Sequence, residues 1–257
     1  EMCIRDSNTS DQAQTIGFQP DITWIKQRNS SEAWVIYDSV RGATKTLFTN
    51  ATSAESTLST GLKSFDANGF TVGNNGVTGA SNTYMSWNWK AGTTSGITTN
   101  GSTTITPSSY SFDQTRGVAI LKYTGNSTAG AKLAHALGKK PDFWFIKGID
   151  YGSDGWDTYH RGMDDYTPQN HNQLLHTDAG RVTYTNRWND TAADDVNITL
   201  GTSDGVNDSS YTYVAYVFCS ITGFSRHGSY LGNNNNSNNN AFVYCGFRPS
   251  VVTIKRA

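Results

Sequence analysis

Charge is scarce in this sequence, and no long apolar run occurs. Of the 257 residues only 16% are Asp, Glu, Lys or Arg, and the net charge is −1. This balance argues against nucleic-acid binding, which needs a basic face, and against a polybasic membrane anchor. The longest apolar stretch, residues 213–219, is far shorter than the roughly 20 residues that span a bilayer. We therefore expect no nucleic-acid partner and no membrane insertion.

Cysteine and the common catalytic motifs are also nearly missing. The three cysteines are Cys3, Cys219 and Cys245, an odd number without a CxxC pair. This argues against a disulfide scaffold and against a cysteine-based zinc site, so we expect free thiols in a reduced compartment. The H-E-x-x-H, G-x-S-x-G and P-loop patterns do not occur. We predict no cofactor, no metal and no enzymatic activity.

Aromatic residues, at 12% of the chain, indicate a folded protein rather than a disordered one. Helical periodicity is almost lacking, whereas short runs rich in Val, Ile, Thr, Tyr, Phe and Trp recur between Gly and Asn. Alternation places Met85, Trp87 and Trp89 on one strand face, which we expect to be core. The predicted fold class is all-β, with tandem antiparallel β-sandwich modules of a jelly-roll or lectin-like type.

An internal repeat organises the chain. The motif G-x-x-P-x-φ-x-x-I-K, where φ is apolar, occurs at residues 17–26, 138–147 and 246–255. Its spacing gives a unit of domain size rather than a solenoid repeat. We predict a first β module at residues 8–92 that is truncated at its start, and a linker at 93–109. A complete module at 110–222 and the beginning of a third at 223–257 follow. The two repeats could also merge into one larger sandwich.

Both ends of the chain look cut. The sequence starts with Glu1, and residues 2–7 resemble translated adapter found at the edges of environmental sequences. We therefore treat residues 1–7 as artefactual or disordered and leave them out of the fold. The last residues, 253–257, lie within an expected strand, so we expect a metagenomic fragment of a longer protein.

An acidic cluster is the first candidate for chemistry. Asp150, Asp154, Asp157, Asp164 and Asp165 surround several aromatic residues, as at a calcium site or a glycosidase carboxylate pair. The spacing fits no EF-hand, and the first repeat has no equivalent cluster. We favour carboxylates that form turns.

A second candidate is a pair of aromatic segments that each end in Arg-Gly, at residues 34–42 and 156–162. Their rings could stack on the apolar faces of sugars, while the polar side chains bond hydroxyl groups; the same pattern also suits a core followed by a turn. The predicted glycan-binding residues are Trp34, Tyr37, Arg41, Trp156, Tyr159, His160 and Arg161.

The order of motifs resembles a repeat of marine bacteriophage virion proteins that are tail-fibre-like. The resemblance rests on residues 17–26, on 37–45, on Gly69-Phe70-Thr71-Val72-Gly73, and on the segment from Tyr84 to Gly92. It implies a structural β module on the virion, assembled in the host cytoplasm. Other virion proteins, further copies of the chain and host surface glycans are the implied partners. The alternatives are a spacer without a ligand and a polysaccharide depolymerase.

Overall fold

A computed structural model describes residues 2–5, 11–74, 78–79, 82–232 and 241–256. The regular structure is almost all antiparallel β, which confirms the predicted fold class. The strands of the first repeat unit are β1 (Met2–Arg5), β2 (Gln12–Thr15), β3 (Ile22–Gln27), β4 (Val35–Asp38), β5 (Lys45–Phe48), β6 (Ser56–Thr57), β7 (Leu62–Asp66), β8 (Gly69–Val72) and β9 (Thr83–Trp89).

The second unit repeats this plan. Its strands are β10 (Ser109–Asp113), β11 (Val118–Thr124), β12 (Ala131–Ala134), β13 (Phe143–Gly148), β14 (Asp157–His160), β15 (His171–Leu174), β16 (Val182–Thr183), β17 (Asn197–Leu200) and β18 (Thr212–Phe218). Its short helices are α1 (Thr185–Trp188) and α2 (Asp204–Asn207), with 3-10 turns at Arg161–Met163 and Pro168–Asn170.

Each unit consists of one large and one small sheet. The large sheets have the orders β1-β9-β3-β4-β5-β6 and β10-β11-β18-β13-β14-β15-β16. The small sheets are β2-β8-β7 and β12-β17. Strand β3 lies between β9 and β4 just as β13 lies between β18 and β14, so the motif Pro20 and Pro141 each lead into a central strand. Proline fits before the strand because it has no amide hydrogen to donate to the ladder.

Three hydrophobic layers hold the sheets together. Ile25 and Phe70 belong to a layer that joins the first large sheet to its small sheet. Leu121 and Leu200 belong to the corresponding layer of the second unit. A middle layer joins the two large sheets to each other, and its buried members are Ile22, Ile36, Leu47, Ala91, Val118, Ile120, Phe145, Trp156, Val214 and Tyr216. The four sheets therefore stack as small, large, large, small, and the two repeats share a core.

This stacking explains the alternation along β9 and β18. Val214 and Tyr216 are buried in the middle layer, and Trp89 contacts Phe218 across it at a ring-centroid distance of 6.2 Å. Met85 and Trp87 lie on the same face of β9 but are only partly buried. On β9 the predicted core face is therefore only partly buried along its length, including Trp89, and the buried residues Tyr84 and Ser86 lie on the opposite face.

Segment 93–109 lies against the second unit and is not a free linker. Thr93 pairs with Phe112, and Ile105 pairs with Leu133 and is 6% exposed. The apolar side chains of Ile97 and Ile105 pack on the outer layer of the second unit. The composition hid this docking because the segment has only two large aliphatic side chains, and the remaining contacts are hydrogen bonds of residues such as Thr103 and Thr104.

The two ends differ from the expectation in different ways. Residues 1, 6 and 7 lie outside the described residues, but Met2–Arg5 pair with β9 as β11 pairs with β18. Leaving this segment out of the fold was wrong, because the backbone of an edge strand pairs whatever its side chains are. Its origin stays a prediction. In the expected third module, the described residues 226–232 and 241–256 contain no assigned strand, and residues 233–240 and 257 lie outside the described residues.

Candidate functional site

Most of the rings predicted to contact glycans are buried. Tyr37 is 0%, Trp156 0% and Tyr159 1% exposed. Tyr159 stacks on Trp144 at 3.8 Å in the outer core, and Trp156 lies in the middle layer. None of the three offers an open ring face to a sugar. This corrects the expectation for them: alternating aromatic side chains here form core on both faces of the large sheets.

Arg41 is part of a buried ion network at the junction of the two units. Its Nε lies 2.6 Å from Asp38 Oδ2, and its Nη1 lies 3.1 Å from Glu55 Oε2. Tyr216, from the second unit, donates its hydroxyl to Asp38 Oδ2 at 2.5 Å. Arg41 therefore joins the two repeat units and is not available to a ligand, which corrects a further predicted contact.

His160 and Arg161 lie near the surface at the end of β14. The Nδ1 atom of His160 accepts the amide hydrogen of Gly162 at 3.0 Å. Burial lowers the pKa of His160, so the ring is neutral near pH 7. The Arg161 side chain is 58% exposed and reaches Asp142 Oδ1 at 3.0 Å. These two remain candidates for ligand contact.

Trp34 belongs to a partly exposed cluster of three tryptophans, which we call the tryptophan patch (Trp24, Trp34 and Trp87). Trp34 and Trp87 stack with an interplanar angle of 15° and a centroid distance of 5.1 Å. Trp24 lies 5.4 Å from Trp34 and 6.1 Å from Trp87, tilted by 57° and 56°. Trp24 and Trp87 face each other across β3 and β9. The patch therefore lies at the open end of the middle layer.

The patch is held in place from its own unit. Trp24 Nε1 donates to Thr49 Oγ1 at 3.0 Å, which fixes the orientation of that ring. Lys26, two residues further along β3, donates its ammonium group to the carbonyls of Ser30 and Glu32 at 3.1 Å and 2.8 Å. These bonds anchor the loop that precedes Trp34. Sequence analysis found only Trp34, because alternation placed Trp87 on an expected core face and nothing singled out Trp24 as a ligand contact.

The acidic residues of the second unit serve separate structural roles. The carboxylate of Asp150 accepts the amide hydrogen of Thr212, and Asp164 accepts those of Tyr166 and Thr167. Arg187 Nε lies 2.7 Å from Asp157 Oδ1, and its Nη2 lies 3.3 Å from Asp154 Oδ2. The expected turn occurs at Asp164, whereas Asp150 binds a residue 62 positions away and Asp157 one 30 positions away.

Asp157 is fully buried and its Oδ2 has no hydrogen-bond partner. Gly205 lies beside this oxygen and has no side chain. If residue 205 had a Cβ atom, that atom would lie 2.1 Å from Asp157 Oδ2 and 2.3 Å from Asp154 Oδ2, so the two carboxylate oxygens lie close to each other. Burial raises the pKa of Asp157 to about 7; the charge of Arg187 opposes this rise, and the charge of Asp154 adds to it. The Asp157 side chain is thus enclosed, whereas the side chain of Asp154 is 20% exposed.

We expect the Asp157→Asn variant to gain stability relative to the parent protein as the pH rises from about 4 to 7. A raised pKa means that the folded state binds the proton more tightly than the unfolded state, so this group costs stability as the pH increases. The largest slope for one proton is about 1.4 kcal/mol per pH unit. Urea unfolding of both proteins across this pH range measures the difference. A difference that does not change with pH would show that Asp157 is charged in the folded protein.

Two further properties of the site region concern metals and membranes. Within the described residues, no group of three or more His, Cys, Asp or Glu side chains is arranged to hold a metal ion. In the same residues, no helix has the length and apolar character needed to cross a bilayer.

Comparison with known proteins identifies a family but no characterised relative. None of the curated proteins or solved structures compared with the chain matches it. One family model, described as a domain of unknown function, DUF7483, matches residues 2–257. Since the match covers both repeat units and the residues on either side of them, the chain belongs to the DUF7483 family.

Proposed function

We propose that this chain is a non-enzymatic structural protein of a phage virion, of the tail-fibre type, that binds host surface glycans weakly. The virion assignment rests on the resemblance of the repeat motifs, and the tryptophan patch supports the glycan recognition. Other virion proteins, and further copies of the chain, would be its assembly partners.

The observation that carries the glycan proposal is the partial exposure of three clustered indole rings. The face of an indole is electron-rich, and the C–H groups of a sugar ring carry a small positive charge, so the two stack favourably. A contiguous apolar patch on a soluble protein typically marks a binding surface. Trp24 is fixed by its bond to Thr49, so binding costs little loss of side-chain freedom.

The near-neutral charge of the chain fits this kind of recognition. With a net charge of −1, attraction of a charged cell surface at long range contributes little. Short-range stacking and hydrogen bonding remain, and these are weak for a single sugar. Repetition of modules along an assembled virion part would raise the overall avidity without new contacts.

A glycan array tests the proposal. We expect binding to a subset of bacterial surface glycans, and we expect the Trp34→Ala variant to lose at least tenfold in affinity, which corresponds to about 1.4 kcal/mol. Because Trp34 is only partly buried, the variant should keep the fold, which circular dichroism checks.

The matched control is Tyr166→Ala. Tyr166 is 90% exposed and lies outside the patch, so its loss should leave binding unchanged. An array without any hit would favour the spacer alternative. Release of reducing sugar from a host polysaccharide would favour the depolymerase alternative, which needs two carboxylates on an open cleft.

A further inference from the structure

The aspartate that follows proline in the repeat motif forms the same set of hydrogen bonds in both units. The Asp21 amide donates to the Trp89 carbonyl at 2.8 Å, and the Asp142 amide donates to the Phe218 carbonyl at 2.9 Å. One carboxylate oxygen of Asp21 accepts the amide hydrogen of Ala91 at 2.8 Å. The equivalent oxygen of Asp142 accepts that of Ser220 at 2.7 Å.

The other carboxylate oxygen binds the residue that follows the second strand of each hairpin. Ser39 donates its hydroxyl to Asp21 Oδ1 at 2.6 Å, and Arg161 donates Nη1 to Asp142 Oδ1 at 3.0 Å. The main chain of both residues also donates to the carbonyl of the same aspartate, at 2.9 Å and 2.8 Å. Ser39 and Arg161 are therefore equivalent positions, and each unit has the same corner.

A cavity lies at each of these corners. The cavity at the first corner has a volume of about 380 Å³ and is lined by Asp21 and Ser39. The cavity at the second has a volume of about 350 Å³ and is lined by Arg161 and Ser220. Both volumes fall at the lower end of the range for small-molecule sites, about 300–1,000 Å³. Two similar cavities at equivalent corners are a property of the repeat and not of one irregular loop.

The opposite wall of each cavity comes from the segment that leads into the next repeat. Thr94, Ser109 and Tyr110 line the first cavity, and His227, Gly228 and Ser229 line the second. The second segment packs closely on its corner, since a Cβ added at Gly162 would lie 2.7 Å from Ser229 Cβ. Each cavity thus lies between the corner of one unit and the segment that follows that unit in the chain.

The two cavities share part of their chemistry, although the second is also lined by the charged residues Arg161, Asp164, Asp165 and Arg226. Each cavity has free hydroxyl groups, from Thr94 and Ser109 in one and from Ser229 in the other, and each has one ring, Tyr110 or His227. Burial lowers the pKa of His227 to about 4, so this ring is uncharged near pH 7. Hydroxyl groups beside one flat neutral ring complement a ligand that carries several hydroxyl groups and an apolar face.

We propose that each of these two cavities binds one sugar residue, so that each of the two described repeat units carries a glycan subsite at its corner. The proposal extends the glycan recognition argued above to a second kind of site, with no residue shared with the tryptophan patch. It also gives the repeat motif a role: the motif aspartate fixes the corner on which the subsite is built.

Titration of the isotope-labelled chain with glucose, galactose and N-acetylglucosamine, followed by NMR, tests the proposal. We expect at least one sugar to give saturable shifts of the amides of Gly92 and Thr94, and also of those of Ser220 and Gly228. Thr94→Tyr should fill the first cavity. It should lower the sugar affinity reported by the amide of Gly92 at least tenfold and leave the affinity reported by Ser220 and Gly228 unchanged. Gly228→Tyr should do the same at the second cavity, because a Cβ at Gly228 meets open space and is not strained.

Two variants outside the cavities serve as controls. Gly232→Tyr adds the same ring at another exposed glycine with open space, and Thr52→Tyr does so at another exposed threonine. Both should leave all shifts unchanged. The absence of saturable shifts at both corners, or shifts that persist in the filled variants, would overturn the proposal. The Trp34→Ala variant separates this proposal from the one for the tryptophan patch. Amide shifts at the corners that persist in this variant would show that the cavities bind sugar independently of the patch.

Discussion

Replacing Arg41 with alanine lowers the free energy of unfolding by about 3–5 kcal/mol, the expected cost of removing one partner from a buried ion pair. The side chains of Arg41 and Asp38 are 1% and 0% exposed, and their shortest contact is 2.6 Å. Without the guanidinium group, the carboxylate of Asp38 stays buried with the hydroxyl of Tyr216 as its remaining side-chain partner. Urea unfolding followed by tryptophan fluorescence measures the loss.

The control is Lys45→Ala in the same network. Lys45 Nζ lies 3.6 Å from Glu55 Oε1, and its side chain is 40% exposed. An exposed pair of this kind contributes about 0–1 kcal/mol, because solvent screens it and the side chain loses freedom. If Arg41→Ala is no more destabilising than Lys45→Ala, the network does not stabilise the junction.

Replacing Trp156 with alanine also costs about 3–5 kcal/mol, because it leaves a large cavity in the middle layer. The Trp156 ring lies 5.7 Å from Phe145 and 6.3 Å from Tyr216, and the residue is 0% exposed. Its Nε1 donates to the Phe48 carbonyl of the first unit at 2.9 Å, so a hydrogen bond between the units is lost as well. Thermal and urea unfolding measure the effect.

Trp34→Ala is the matched substitution for Trp156→Ala. Ile36 pairs with Trp24 in the first unit as Thr158 pairs with Phe145 in the second. Trp34 and Trp156 each lie two residues before these positions, so they are equivalent in the two units. Trp34 is partly exposed, so its removal should cost markedly less stability. Equal losses would mean that the patch is core, and the glycan proposal would lose its support.

Much of the fold could be predicted from the sequence because local signals are strong. Short runs of β-branched and aromatic residues mark the strands, and Gly and Asn mark the turns between them. The motif at residues 17–26 and 138–147 places the central strand of each large sheet correctly. The strand Phe143–Gly148 has no polar alternation, and it is buried on both faces.

The stacking of the two repeats could not be predicted in the same way. Alternation shows which side chains share a face, as with Val214 and Tyr216, but not which sheet covers that face. The middle layer depends on contacts such as that between Tyr216 and Asp38, which are separated by 178 residues. Sequence analysis left one merged sandwich as an alternative, and the shared core supports it.

The candidate site was only partly predictable because the two Arg-Gly segments are not equivalent. Trp34 and Trp156 correspond, but Arg161 takes the position of Ser39 and not that of Arg41. Arg41 lies two residues further along the chain than the position equivalent to Arg161, and its side chain points into the junction of the two units. A match of residue types therefore paired two arginines with different environments, one buried and one exposed.

The account depends on the two repeat units forming one cooperative body through the middle layer. Differential scanning calorimetry of the parent chain and of Arg41→Ala tests this most directly. We predict a single transition whose calorimetric and van't Hoff enthalpies agree, and which moves as a whole to lower temperature in the variant. Two separate transitions, of which Arg41→Ala moves only one, would contradict it.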